Sequence, residues 1–403
     1  MDQGSTFFIE DHHTPPFFKK MPVSIDRGQG VNVWDEQGRR YLDMTAGWGV
    51  TCLGHSHPAI IEALEQQSRK IMQNPNSGAT YSPARARLLS LMAEILPSGL
   101  TRVFFQNSGA EANDAVIKLA RKVTGRMDVV STYQSFHGRT ISTASATGQA
   151  KHRDKFNPLM PNYRFVAYDR VDEIADALDD QVAAVVLEPI QGEGGVIIPA
   201  EGYLKTVSAL CEKNGTLLII DEVQTGFCRT GPLFATAGQG LTIAFLTMAK
   251  GIAGGFPFGA FAMSEAVADR LELGDHGGTY SGNPLGCAVS HAVIKYLIDH
   301  DIASHVERMG SMIQEELNLW HREFPFLIKD VRGRGLLIAM EVAKPGQAMA
   351  ILEESLRLGL FVNVTQGNII RLFPALNITP EEVKEGLAIL RQAVEYVVVS
   401  HRD

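Results

Sequence analysis

Lys250 and Asp221 are the pair of residues in this sequence best placed to do chemistry together. Lys250 lies in LTMAKGIAGG (246–255), directly after an apolar run that reads as a buried strand. Asp221 closes a second apolar run, TLLII (216–220). Burial disfavours the charged form of a lysine, so a lysine held there becomes a neutral, nucleophilic amine. Such an amine forms a Schiff base with an aldehyde. A carboxylate at the end of a neighbouring strand is the partner that a protonated pyridine nitrogen needs. Together they point to pyridoxal phosphate. Taken singly, each has a plainer reading. A lysine after a strand is ordinarily a solvated loop residue, and Asp-Glu after a strand is often a turn or a helix cap.

A phosphate site is the third element such a cofactor requires. VFFQNSGAEANDAVIKLARKVTG (103–125) reads as a strand, a polar glycine turn and an amphipathic helix. Asn107, Ser108, Gly109 and Ala110 fall where the turn meets the helix. The unpaired amides and the dipole of a helix N-terminus both favour an anion there. The same SGAE is equally a simple helix cap. It is not a P-loop, because no Gly-Lys-Ser/Thr follows. HGGTYSGNPLGC (276–287) is a second loop of small residues, with hydroxyls on Thr279 and Ser281. It is either a further anion contact or a plain surface loop.

These residues need a scaffold, and the chain between about 100 and 265 supplies the pattern of one. Strand candidates at 102–106, 128–132, 164–167, 183–188, 216–220, 243–247 and 259–263 alternate with helix candidates at 109–124, 171–179, 201–214 and 264–272. Such alternation predicts an α/β fold with a mostly parallel sheet covered on both faces. Ligands in these sheets sit at the carboxyl ends of strands, which is where Asp221 and Lys250 fall. Earlier, 30–44 reads as a β-hairpin turning at Glu36-Gln37-Gly38, followed by helices at 58–73 and 83–96 with Ser82 as a cap. Later, 284–322 reads as one or two long helices. Residues 331–342, 359–365 and 368–374 read as strands of a small α+β lobe. The expected division is a large domain over 46–285 and a small one built from both termini, 1–45 and 286–403.

Composition narrows the partners. A chain of 403 residues with 45% apolar and 20% charged content fits a globular protein of more than one domain. Its net charge of −8 argues against nucleic acid or an anionic membrane surface as partner. The four cysteines (Cys52, Cys211, Cys228, Cys287) lack metal-ligand spacing and read as reduced thiols of a cytoplasmic protein. Cys228, in a glycine-flanked loop, is either reactive or inert packing. The first twenty residues lack the pattern of a secretory signal, and no apolar run approaches the ~18 residues of a membrane span. His12-His13 reads as part of a solvated arm, and no metal site is expected.

NSGAEAND, SFHGRT, LEPIQGEGG, DEVQTGFCRTG, TMAKGIAGGFPFGA, GGTYSGNPLGC and IIRLFPAL occur in an order and spacing that resembles the class III (ω-) aminotransferases. Within that class the acetylornithine and ornithine enzymes are most similar. The resemblance spans about residues 20–395. It implies the aspartate-aminotransferase-like PLP fold (fold type I) and a homodimer with active sites at the interface. It also implies an ω-amino donor and 2-oxoglutarate or glutamate as substrates. Lys250 resembles the Schiff-base lysine and proton shuttle, and Asp221 the carboxylate that keeps the pyridine nitrogen protonated. Gln224 resembles the partner of the phenolic oxygen. Val223 and Phe136 resemble the residues sandwiching the ring, and His137 falls in the same cofactor set. Ser108, Gly109 and Ala110 match the phosphate loop, and Thr279 the threonine that reaches the other subunit's phosphate.

On the substrate side, Arg139 resembles the arginine that holds a carboxylate of the ω-amino substrate. Arg371 resembles the arginine for the α-carboxylate of 2-oxoglutarate or glutamate, and Glu193 the gate that pairs with it. Either arginine alone would equally suit a surface ion pair. Trp48 and Phe18 stand near positions where ornithine enzymes tend to carry tyrosine, which argues against free ornithine. TYSGNPL leans towards the 4-aminobutyrate-type enzymes. The donor expected is acetylornithine-like, with 4-aminobutyrate, ornithine or a diamine as alternatives. A racemase or decarboxylase on this scaffold, and a catalytically silent PLP-fold binding protein, stay open.

Overall fold

The computed structural model describes residues 5–400; residues 1–4 of the N-terminal stretch and 401–403 lie outside it. A seven-stranded sheet forms its centre. The spatial order is Leu100–Gln106, Gly259–Ser264, Phe245–Met248, Leu217–Asp221, Val182–Leu187, Asp128–Thr132 and Tyr163–Val166. The last five of these run parallel. Gly259–Ser264 runs antiparallel to both of its neighbours, so the sheet is mixed. Val182–Leu187 is buried along its whole length, which is why it reads as an uninterrupted apolar run rather than an alternating one.

The helix Gly109–Thr124 explains how the sheet is covered on one side. Ala112, Ala115, Val116, Leu119, Ala120 and Val123 recur at helical spacing and are all buried. Ser108 caps its start by accepting from the Glu111 amide at 3.2 Å, and Gly125 closes it in the left-handed region at φ +69°.

The terminal segments meet each other. Arg40–Asp43, in a small sheet with Ile25–Gln29 and Asn32–Asp35, pairs in parallel with Leu360–Phe361. A second four-stranded antiparallel sheet contains Ile328–Arg334, Leu337–Val342, Ile369–Leu372 and Asn363–Thr365. Residues 331–342 are therefore two arms of a hairpin, not one strand. The chain reverses at Gly335, whose φ of +56° suits glycine. The helix expected over 58–73 ends at Ser68, and that expected over 264–272 shrinks to Glu265–Ala268. Residues 284–322 form two helices, Pro284–Asp299 and Ile302–Glu323. The N-terminal arm contains a helix, Thr6–His13, with no buried residue. A 21-residue helix, Pro380–Ser400, closes the described chain. Among the described residues no helix is long and apolar enough to cross a membrane.

Candidate active site

Parallel strands deliver the site. The residues just past Gln106, Thr132, Leu187 and Met248, and Asp221 at the end of its own strand, all converge on one cavity of about 460 Å³. Ser108, Gly109, Ala110, Phe136, His137, Asp221, Val223, Gln224 and Lys250 line it, so nine residues singled out in the sequence share one space.

Asp221 is 3% exposed and fully engaged. Its Oδ2 accepts from Asn113 Nδ2 at 2.7 Å and from His137 Nδ1 at 2.8 Å, and its Oδ1 accepts from the Val223 amide at 3.0 Å. Burial pulls the His137 pKa down, but the hydrogen bond and charge of Asp221 more than reverse this, and the net direction is up. Three donors so arranged fix the orientation of the carboxylate. Such a group can orient and hold a cationic ring N–H.

Lys250 opens a short 3₁₀ turn, Lys250–Ala253, with φ +46°. A lysine in that region is strained, and strain of this kind gathers where a side chain must be aimed. Its Nζ donates to Gln224 Oε1 at 3.1 Å. Burial lowers its pKa and the Arg371 charge adds to this, while Glu193, Asp221 and Glu188 resist. Lys250 is half-buried on the cavity wall, unlike a freely solvated loop lysine. Gln224 Nε2, on the cavity wall, is buried without a protein partner and leaves a free donor there; His137 Nε2 is likewise unpaired.

At the helix start Ser108 does act as a cap, and the Glu111 carboxylate returns the bond to the Asn107 amide at 2.7 Å. The first bond satisfies one orphan amide of the helix, and the second holds the residue before the cap. The amides of Gly109 and Ala110 have no partner one turn back and sit on the cavity wall. A Cβ on Gly109 would stand 2.8 Å from Val223 Cγ1, so the close approach requires glycine. Unpaired amides, free donors and an anchored acid fit pyridoxal phosphate.

A vestibule of about 630 Å³ opens beside this cavity and shares Phe136, Arg139 and Lys250 with it. Phe18 and Trp48 line it with ring centroids 5.7 Å apart. Arg139 is exposed, its guanidinium carbon 5.8 Å from the Phe136 ring centre. Arg371 is not a surface residue: it is 1% exposed. It donates to the Gly192 carbonyl and to Asn363 Oδ1, each at 3.0 Å, and pairs with Glu193 at 2.7 Å. Glu193 lines the vestibule. Burial opposes its ionisation, but the Arg371 charge holds its carboxyl below the usual range.

Thr279 is not brought to Lys250. It lines a separate cavity with Ser77, Arg85, His276 and Ser281. Cys228 is buried, and burial pushes its thiol up to about 12, so it is packing rather than a reactive group.

Two site residues carried no role in the sequence reading. Asn113 orients Asp221 and also donates to the His137 carbonyl at 2.9 Å. Glu188 accepts from the amides of Phe136 at 3.0 Å and Gly192 at 3.2 Å. Burial, with Asp221 adding and His137 opposing, raises its pKa to about 7. Both lie inside matched stretches, NSGAEAND and LEPIQGEGG. The signal for Glu188 is an acid ending a wholly apolar strand.

Comparison with known proteins agrees with this geometry. The family described as "Aminotransferase class-III" matches residues 15–394. An acetylornithine aminotransferase of Methanothermobacter thermautotrophicus is 40% identical, over 98% of this chain and 99% of the relative. The solved ornithine aminotransferase of Toxoplasma gondii superposes with a TM-score of 0.93 at 33% identity, covering 98% of this chain and 95% of the other. The acetylornithine aminotransferase of Elizabethkingia anophelis superposes with a TM-score of 0.85 at 31% identity, covering 97% and 98%.

Proposed function

This chain belongs to the class III aminotransferases, and from that premise we propose that it moves the ω-amino group of an N-acetylornithine-like donor to 2-oxoglutarate, leaving a semialdehyde and glutamate. The family depends on pyridoxal phosphate. When bound, that cofactor supplies an aldehyde for the amine and an electron-poor ring that stabilises charge on the adjoining carbon.

The protein's own groups divide the remaining work. Lys250, its pKa lowered by burial, holds the cofactor and then takes and returns a proton at Nζ. Asp221, oriented by Asn113 and His137, would keep the ring nitrogen protonated. Gln224 Nε2 would donate to the ring oxygen, with Val223 and Phe136 against the ring faces. Ser108 and the first-turn amides of Gly109 and Ala110 would hold the phosphate.

The observation that carries the reading is the buried Arg371 paired with Glu193 beside the space that Lys250 faces. It provides a carboxylate receptor that an acid can mask. A donor reacting through its ω-amine would leave the pair closed, and a 2-oxoglutarate carboxylate would displace Glu193. Arg139 would hold the distant carboxylate. Free ornithine fits less well, because Phe18 and Trp48 offer no phenolic hydroxyl at the vestibule.

The assembly belongs to the same proposal. Thr279 is assigned to a neighbouring subunit's phosphate, making the unit a homodimer with large domain 46–285 and a small domain from 1–45 and 286–403. The four cysteines, all buried and unpaired, support a reducing compartment such as the cytoplasm. A donor panel with 2-oxoglutarate as acceptor, read by glutamate formation, tests the whole. N-acetylornithine is expected to give the highest kcat/KM. A clear preference for 4-aminobutyrate, free ornithine or a diamine would overturn the donor assignment.

A further inference from the structure

Arg229 is a deeply buried charge that the reaction leaves unused. It is 3% exposed, and among the described residues no carboxylate pairs with it. Its Nη1 donates to the carbonyls of Leu336 at 3.0 Å and Pro374 at 2.6 Å, and its own carbonyl accepts from the Leu336 amide at 3.0 Å. Its Nη2 is buried with no partner. Burial, with Arg371 adding to it, lowers the guanidinium to about 10, so the charge persists at neutral pH. A buried cation without a counter-ion is costly. The chain leading to it is strained as well, with Phe227 at φ +54° and Cys228 at φ +66°.

What Arg229 touches accounts for that cost. Leu336 precedes the strand Leu337–Val342, and Pro374 follows the strand Ile369–Leu372 that carries Arg371. These strands are paired, with Ala339 opposite Arg371. One guanidinium therefore grips both at the same end. The Arg371 guanidinium carbon lies 4.4 Å from the Phe373 ring centre. A Cβ on Gly49, the residue after Trp48, would stand 3.3 Å from the Phe373 ring and 3.9 Å from Arg229 Nε. On the other side, Arg229 lies in the same loop after Asp221 that carries Gln224, whose Oε1 accepts from Lys250.

We infer that Arg229 is a positioning residue for substrate carboxylates, locking the strand that carries Arg371 to the loop that carries Gln224. The spacing between the Lys250 amine and the carboxylate receptor is then set by one buried, hydrogen-bonded cation. The inference rests on the reading that Arg371 receives a substrate carboxylate.

The test uses glutarate, a dicarboxylate with neither amine nor keto group, titrated calorimetrically into the holoenzyme. Arg371→Ala is the reference variant, expected to weaken glutarate by about tenfold or more, the worth of a charge-assisted pair. Arg229→Lys keeps the charge but not the planar fork. It is expected to weaken glutarate by about tenfold and to raise the KM for 2-oxoglutarate more than it lowers kcat. Its single turnover with the ω-amino donor should change much less. Arg229→Met should behave likewise with a larger loss; should it fail to fold, Arg229→Lys alone decides. Parent-like glutarate binding in Arg229→Lys would overturn the inference. So would equal losses in both half-reactions accompanied only by a lower Tm, which mark a merely structural residue. If Arg371→Ala itself leaves glutarate binding intact, the reading of Arg371 fails instead.

Discussion

The Glu193 carboxylate stands 2.7 Å from the Arg371 guanidinium, and of the two only Glu193 lines the vestibule. The arginine is 1% exposed on its side chain and the acid 30%. Moving the acid uncovers the base, while moving the base would tear it from Gly192 and Asn363. The acid is therefore the movable partner.

This asymmetry predicts opposite effects for the two partners. Arg371→Ala should cripple the glutamate half-reaction, losing a charge-assisted carboxylate contact worth roughly 1.5–3 kcal/mol. The donor half-reaction should suffer much less. Glu193→Gln should favour glutamate relative to the ω-amino donor. Single-turnover spectra with each substrate separate the two. Equal losses in both for a folded Arg371→Ala protein would leave Arg371 a structural residue.

Lys250 sits in a strained turn with its pKa lowered, its amine on Gln224 Oε1. Lys250→Ala should retain the cofactor by its phosphate and ring contacts yet lose turnover by on the order of 10³ or more, about 4 kcal/mol. Borohydride should fix the cofactor covalently to the parent protein at this residue, as peptide mapping would read. An adduct on another lysine would refute the assignment.

Much of this architecture was legible because single elements carry their own signals. The helix Gly109–Thr124 announces itself by an apolar face, a serine cap and a closing glycine, and it falls where the spacing places it. Asp221 and Lys250 were legible because a charge next to a wholly apolar run is unusual. The closing helix has comparable spacing, with Val383, Leu387, Leu390 and Val394 buried, although strand-like stretches precede it. What depends on packing was hidden. Nothing local tells that Gly259–Ser264 runs antiparallel, since its direction is set by its neighbours. Asn113 looks like any polar helical residue until the helix docks and turns it to Asp221. Arg229 looks like a loop cation until Leu336 and Pro374 close over it.

Thr279 lies in a cavity of its own, away from Lys250. If it serves a neighbouring subunit, Thr279→Ala and Lys250→Ala should complement each other in mixed dimers. One site of the hybrid would carry both lesions and the other neither. The hybrid should then regain about half the activity per parent dimer, by counting intact sites. Proven hybrids without recovered activity would exclude the role across subunits.

Glu188 gives the site a pH dependence of definite sign. It is buried among His137, Asp221 and Lys250, and among the described residues its carboxylate accepts from the amides of Phe136 and Gly192. Its pKa in the folded protein, about 7, lies above the ordinary 4.5 of a glutamate. The fold therefore favours the protonated acid. That contribution is fully present below the unfolded pKa and is lost as pH rises towards and through about 7. Glu188→Gln imitates the protonated form and cannot titrate. Its Tm minus that of the parent should increase between about pH 5 and 7 and then level off, whatever constant offset the lost acceptor causes. His137 acts in the same direction, its raised pKa also stabilising the fold at low pH, and Asp221, which raises it most, is kept in both proteins. Melting curves of the two across this range measure the difference directly. A difference that stays flat with pH would mean that Glu188 remains ionised throughout, held by its two amides and by His137.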